Sequence, residues 1–194
     1  NGFSGDVSNI AIWDSVLTAS NVSTIYNNGV PNDISSLSPN NWYKLNAQDT
    51  FDGTDWTIKD YAGSNDGTSS GMTSANLVQS NLQHTSGFSP YAITLDGIND
   101  YINITAYTIT SSATVSAWFN TNSPTNAGPI LARSSGTGGN YYGYIDNSGG
   151  KIRVLVRDNA NSFSLKVTNV DYNVNTWYHL AITQTNGGGI VYIN

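Results

Sequence analysis

Residues 91–120, YAITLDGINDYINITAYTITSSATVSAWFN, decide the fold. They read as strand, tight turn, strand, loop, strand. In the last part Val115, Ala117 and Phe119 alternate with Ser116, Trp118 and Asn120. A period of two sends those sets to opposite faces of a sheet, which a half-buried strand does and a helix does not. Between the first two strands, Asp96-Gly97 and Asn99-Asp100 tolerate left-handed backbone or bond their own turn, so the chain must reverse there.

Composition supports the same class. The chain has 194 residues, enough for one large β domain or one domain plus part of another. It carries 26 Asn, 24 Ser and 20 Thr, small polar residues that favour turns and strand surfaces over helix interiors. All 13 acidic residues are Asp, and the absence of Glu argues against long surface helices. A net charge of -6 with seven Lys and Arg leaves no basic stripe for nucleic acid or anionic lipid. The absence of Cys removes disulfides, thiolate metal sites and Cys nucleophiles. No apolar run approaches the ~20 residues of a membrane helix, and Asn1 opens no signal peptide, so the chain reads as a mature piece or an excerpt.

Working outward, residues 7–13 alternate as a strand, and a short helix follows. Thr18 or Ser20 can cap it, Val22, Ile25 and Tyr26 share one face, Gly29 suits the C′ position and Pro31 stops it. Residues 32–41 read as a connection, residues 42–45 and 56–59 as strands, and residues 59–71, KDYAGSNDGTSSG, as a loop of turn chemistry. Further strands are expected at 129–133, 141–145, 151–157, 162–168, 177–183 and 190–193. Trp13, Trp42, Trp56, Trp118 and Trp177 are expected in the core. The total is roughly ten to thirteen strands at sandwich spacing.

Four pieces together, ITLDGINDYINI, TVSAWFNT, TWYHLAITQTNGGGIVYIN and FSGDVSNIAIWDSVLTASNVSTIYNNG, resemble the laminin G-like, concanavalin A-like jelly roll. That superfamily includes pentraxins and many bacterial and phage surface modules. The resemblance implies an all-β, two-sheet antiparallel jelly-roll sandwich with one short helix. Their order departs from the family's, because the piece that closes such a domain comes first here. Either residues 1–37 end a preceding unit, with 38–41 a linker and 42–194 opening a C-terminally incomplete unit, or the chain closes on itself as a permuted jelly roll. The first arrangement is preferred.

Some relatives of this fold cleave polysaccharides with a close pair of Glu, a signature this chain cannot hold. Its Asp pairs, Asp96 with Asp100 and Asp49 with Asp52 or Asp55, sit in Gly-rich turns rather than facing a groove. His84 and His179 accompany no nucleophile or metal spacing, and His179 reads as a strand histidine packed beside Trp177. The expectation is a non-enzyme, with a polysaccharide-active enzyme as the remote alternative.

Oxygen-rich turns suit hard cations, and the resemblance implies calcium at Asp60, Asn65 and Asp66, or secondly at Asp96, Asn99 and Asp100. The competing reading is that these residues only bond their own backbone. For glycans, residues 140–147 offer Tyr141 as a stacking ring beside Asn140, Asp146 and Asn147, although aromatic residues in sandwiches are mostly packing. The expected role is a non-catalytic extracellular, cell-surface or virion-surface module for adhesion or glycan recognition, with calcium as possible cofactor. The alternative is a ligand-free structural brick meeting copies of itself in an oligomer or tandem array; nucleic acid and membrane insertion are not expected.

Overall fold

The computed structural model describes residues 2–85, 88, 90–104, 112–124, 128–131, 144–146, 151–157, 163–185 and 188–194, of which 144–146, 151, 153–157 and 163–170 by backbone alone. Among these residues the chain forms fourteen strands and one α-helix. All strand pairs are antiparallel.

The largest sheet has seven strands: β1 (Ser4–Trp13), β2 (Asn41–Tyr43), β6 (Leu77–Gln79), β7 (Tyr91–Asp96), β9 (Ala113–Thr121), β13 (Trp177–Thr185) and β14 (Gly188–Ile193). Its order is β14-β13-β9-β1-β7-β6, with β2 joined to β1. A four-stranded sheet runs β3 (Thr50–Phe51), β4 (Trp56–Ile58), β5 (Gly67–Ser70), β8 (Tyr101–Asn103). A three-stranded sheet runs β10 (Tyr144–Asp146), β11 (Lys151–Arg157), β12 (Phe163–Asp171).

Alternation decides what meets between the sheets. Val7, Ile93 and Phe119 lie directly opposite one another across β1, β7 and β9 and point inward. They pack with Trp56 and Ile58 of the four-stranded sheet and with Ile152 of the three-stranded one, giving one apolar core. The expected β-sandwich is therefore present, and Ala117 and Phe119 are buried in that core as their spacing predicts.

The helix α1 (Ala19–Tyr26) closes a second, smaller cluster on the opposite face of the large sheet, where Val22 and Ile25 pack with Ala11, Trp13 and Ala181. The Thr18 hydroxyl accepts from the Asn21 amide at 3.2 Å, the expected N-cap. The expected C′ role of Gly29 is corrected. Asn27 takes the left-handed conformation (φ 42), which Asn tolerates, and Gly29 ends the 3-10 turn that follows.

Three further expectations change. Residues 59–71 are not loop throughout, since Gly67–Ser70 form β5. Gly67 is needed there because a Cβ would stand 2.9 Å from Ile102 Cγ2 on the paired strand β8. Residues 129–131 form no strand, although Ile130 and Leu131 pack on the core; 132–133 lie outside the described residues. Finally, the strands on either side of the tight turn after β7 do not lie in one sheet: the turn carries the chain from the seven-stranded sheet to the four-stranded one, where β8 pairs with β5. Gly97 (φ +77) makes that corner possible, and a Cβ on it would come within 2.8 Å of Ser4 Cβ.

Residues 38–41, read as a linker, are tied to β1. The Asn40 amide donates to Ile12 O at 2.8 Å, and Asn40 Oδ1 accepts from the Asp14 amide at 2.9 Å. β1 itself lies between β7 and β9, so residues 4–13 and 91–121 share one sheet.

Candidate functional site

Asp60 is 3 % exposed and fully engaged. Its Oδ1 accepts from the Trp42 amide at 2.9 Å and the Ala62 amide at 3.0 Å. Its Oδ2 accepts from Asn41 Nδ2 at 2.7 Å and the Asn65 amide at 3.3 Å. Burial pushes the Asp60 pKa up, but these four donors outweigh it and hold the carboxyl below the usual range. Its amide in turn donates to Asp66 Oδ1 at 2.9 Å, and the Asn65 carbonyl accepts from the Tyr43 hydroxyl at 2.7 Å. The structure thus brings Asp60, Asn65 and Asp66 together around N–H and O–H donors, and a cation at Asp60 would have to displace some of them.

Asp96, Asn99 and Asp100 are also brought together, in the corner after β7. Asp96 Oδ1 accepts from the amides of Ile98, Asn99 and Asp100, at 2.7, 3.2 and 3.5 Å. The Ile98 amide leads the bonds that hold the Asp96 carboxyl below its ordinary pKa. Asp100 Oδ2 accepts from Asn76 Nδ2 at 2.9 Å and the Asp96 amide at 3.1 Å. Among the described residues no group of three or more His and Asp side chains is gathered as for a metal. Asp49 and Asp52 likewise accept from turn amides, those of Asn46 and Lys59 and of Thr54 and Asp55 respectively. Asn140, Tyr141 and Asn147 lie outside the described residues. Asp146 ends β10, paired with Arg153.

What sequence reasoning missed lies on the face of the large sheet that points away from the core. Register places Thr94, Asp6, Asn120 and Trp177 in one row across β7, β1, β9 and β13. Thr94 Oγ1 donates to Asp6 Oδ1 at 2.6 Å, and Trp177 Nε1 donates to Asn81 Oδ1 at 2.7 Å. Asn120 is 8 % exposed; Thr94, Asp6 and Trp177 are half-buried. The core expectation for Trp177 is therefore corrected, whereas the other four tryptophans are buried. A signal existed in Ser4, Asp6 and Ser8, polar at alternate positions of an otherwise buried strand. Its meaning depended on partners found only through tertiary register.

The next row holds Ser8, Trp118 and His179. His179 is fully buried, and its ring neighbours are Trp118 (5.0 Å between centroids) and Tyr26 of α1 (6.0 Å) rather than Trp177. Its Nε2 is 2.8 Å from Ser116 Oγ, while Nδ1 is buried with no partner. Burial pushes the His179 pKa down to about 4, so the ring is neutral at pH 7. With no carboxylate to orient Nδ1 and no solvent access, the Ser116–His179 pair lacks what an acyl-transfer dyad requires.

A family model, Laminin_G_3, described as the concanavalin A-like lectin/glucanases superfamily, matches residues 96–194, just over half of the chain. No curated protein and no solved structure matches it.

Proposed function

The chain belongs to the concanavalin A-like lectin/glucanase superfamily, and from that premise we propose that it is a non-catalytic carbohydrate-binding module which receives glycan on the outer face of its large sheet. The observation that carries this reading is the row Thr94, Asp6, Asn120 and Trp177. It puts a half-buried indole, an amide and a carboxylate side by side, the mixture of apolar platform and convergent polar groups that small-ligand sites use. The buried, acid-free Ser116–His179 pair and the turn-bonded Asp residues support a binder rather than a glycanase.

The reading extends to a cell-surface or virion-surface setting, in keeping with a cysteine-free, Asn-, Ser- and Thr-rich chain. A glycan array, run with and without a calcium chelator, tests it. Binding of at least one glycan class is expected, and silence in both conditions overturns the proposal. Loss of binding on chelation makes calcium part of the reading, at Asp60, Asn65 and Asp66 or secondly at Asp96, Asn99 and Asp100; unchanged binding removes calcium and leaves the carbohydrate reading in place.

A second reading, a structural brick in an array or oligomer, draws on β14. This strand ends the path of the large sheet, carries no charged residue and leaves Ile190 55 % exposed. It expects neighbouring copies to bury more than about 1,000 Å² against one another in the native assembly.

A further inference from the structure

Charge is distributed unevenly over the sheets. No strand of the seven-stranded sheet contains Lys or Arg, while β1 and β7 contribute Asp6 and Asp96. Register sets these two carboxyl-bearing positions diagonally across the β1–β7 pair, since Asp6 faces Thr94 and Ser4 faces Asp96. An acidic sugar laid along the row would therefore meet like charge with no cation from the sheet to offset it, and like-charge juxtaposition is how binding surfaces reject wrong partners.

We propose that the outer face takes an uncharged saccharide, one pyranose ring stacked on Trp177 and adjacent hydroxyls bonded to Asp6 and Asn120, and that it discriminates against uronate- and sialate-bearing glycans. This deepens the carbohydrate reading and rests on it. Strand neighbours stand about 4.8 Å apart, roughly the width of a pyranose, so Asp6 and Asn120 can hold hydroxyls of one sugar while Trp177, one strand further, carries the next. The row is set before ligand arrives. Thr94 Oγ1 donates to Asp6 Oδ1 and restrains the carboxylate, and Asn81 fixes the indole through its Nε1. Both restraints lower the ordering penalty of binding.

The test is calorimetry on the whole chain with neutral hexose tetrasaccharides and with tetragalacturonate, following the Trp177 indole N–H resonance by NMR in parallel. Neutral ligands should bind and shift that resonance, and tetragalacturonate should bind at least tenfold more weakly. Trp177→Ala should weaken neutral binding tenfold or more, and Asp6→Asn should weaken it severalfold while narrowing the gap to tetragalacturonate. Asn81→Ala, which keeps the ring and disturbs no core residue, should weaken it a fewfold with unchanged thermal unfolding. Equal or tighter binding of tetragalacturonate by the unaltered chain overturns the charge assignment and leaves the carbohydrate reading standing. Neutral binding unaffected by all three substitutions overturns the site. Failure of both ligand types alongside a silent glycan array overturns the carbohydrate reading itself.

Discussion

Phe119 and Asn120 are neighbours on β9 with opposite surroundings. Phe119 meets Phe3 edge-on at 6.3 Å and Tyr178 in a stack at 5.8 Å within the core. Asn120 lies between Asp6 and Trp177 on the outer face. The inner row (Ile93, Val7, Phe119, Tyr178) and the outer row (Thr94, Asp6, Asn120, Trp177) use the same four strands, shifted by one residue. Along these two rows apolar side chains fall on one face and mainly polar ones on the other, a division that a period of two makes available at no change of backbone.

Substitution should separate the two faces sharply. Phe119→Ala is expected to cost about 3–5 kcal/mol of unfolding free energy and Asn120→Ala less than about 1 kcal/mol, read from urea midpoints. Similar losses at both positions would mean that the outer row is core.

Acid should reach the outer face first through His179. Its folded pKa of about 4 lies below the ordinary 6.5, so the unfolded chain binds more protons between those values. The stabilisation is whole above pH 6.5 and is lost as pH falls toward 4, about 3 kcal/mol in total. Among the described residues no charged side chain shares its row: Ser8, Trp118, Ser116 and Asn194 neighbour it in the sheet and Tyr26 faces it from α1, with Asp6 one row away. Urea unfolding at pH 7, 5.5 and 4.5 measures this slope, and His179→Gln should flatten it.

Two smaller changes probe the covered parts of that face. Lys44 Nζ lies 4.2 Å from the Trp42 ring centroid and 4.4 Å from that of Tyr61, so Lys44→Met, which keeps the stem, should cost about 0.5–2 kcal/mol. Thr18→Ala should cost about 1 kcal/mol through the lost cap of α1, measured by thermal melts.

Much of the fold was readable from local pattern. β7, β9 and β13 announce themselves by alternation, and α1 by a Thr cap and apolar residues three and four apart. β5 was hidden because its sequence, GTSS, has turn composition; its Ser69 hydroxyl accepts from the Trp56 amide, so the small polar residue is a structural acceptor and not a loop marker. The corner at Gly97 was legible as a reversal, because turn chemistry fixes that much but not which sheet receives the next strand. The Asp-rich turns were legible as places with two readings, a cation site or carboxylates that bond their own backbone; sequence shows the acceptors and not which amides reach them, as the Trp42 amide reaches Asp60 across 18 residues. The outer row was out of reach for a different reason. Asp6 and Thr94 are 88 residues apart, and nothing local sets their register.

The central position of β1 also governs how the molecule can be made. Thr121 Oγ1 donates to Ser4 O across 117 residues, and both flanking strands of β1 emerge long after it. During synthesis β1 can meet β2 early, but its edge toward β9 stays open until residue 121 has cleared the ribosome. Such distant closure makes folding slow and leaves the growing chain open to pairing with the wrong neighbour.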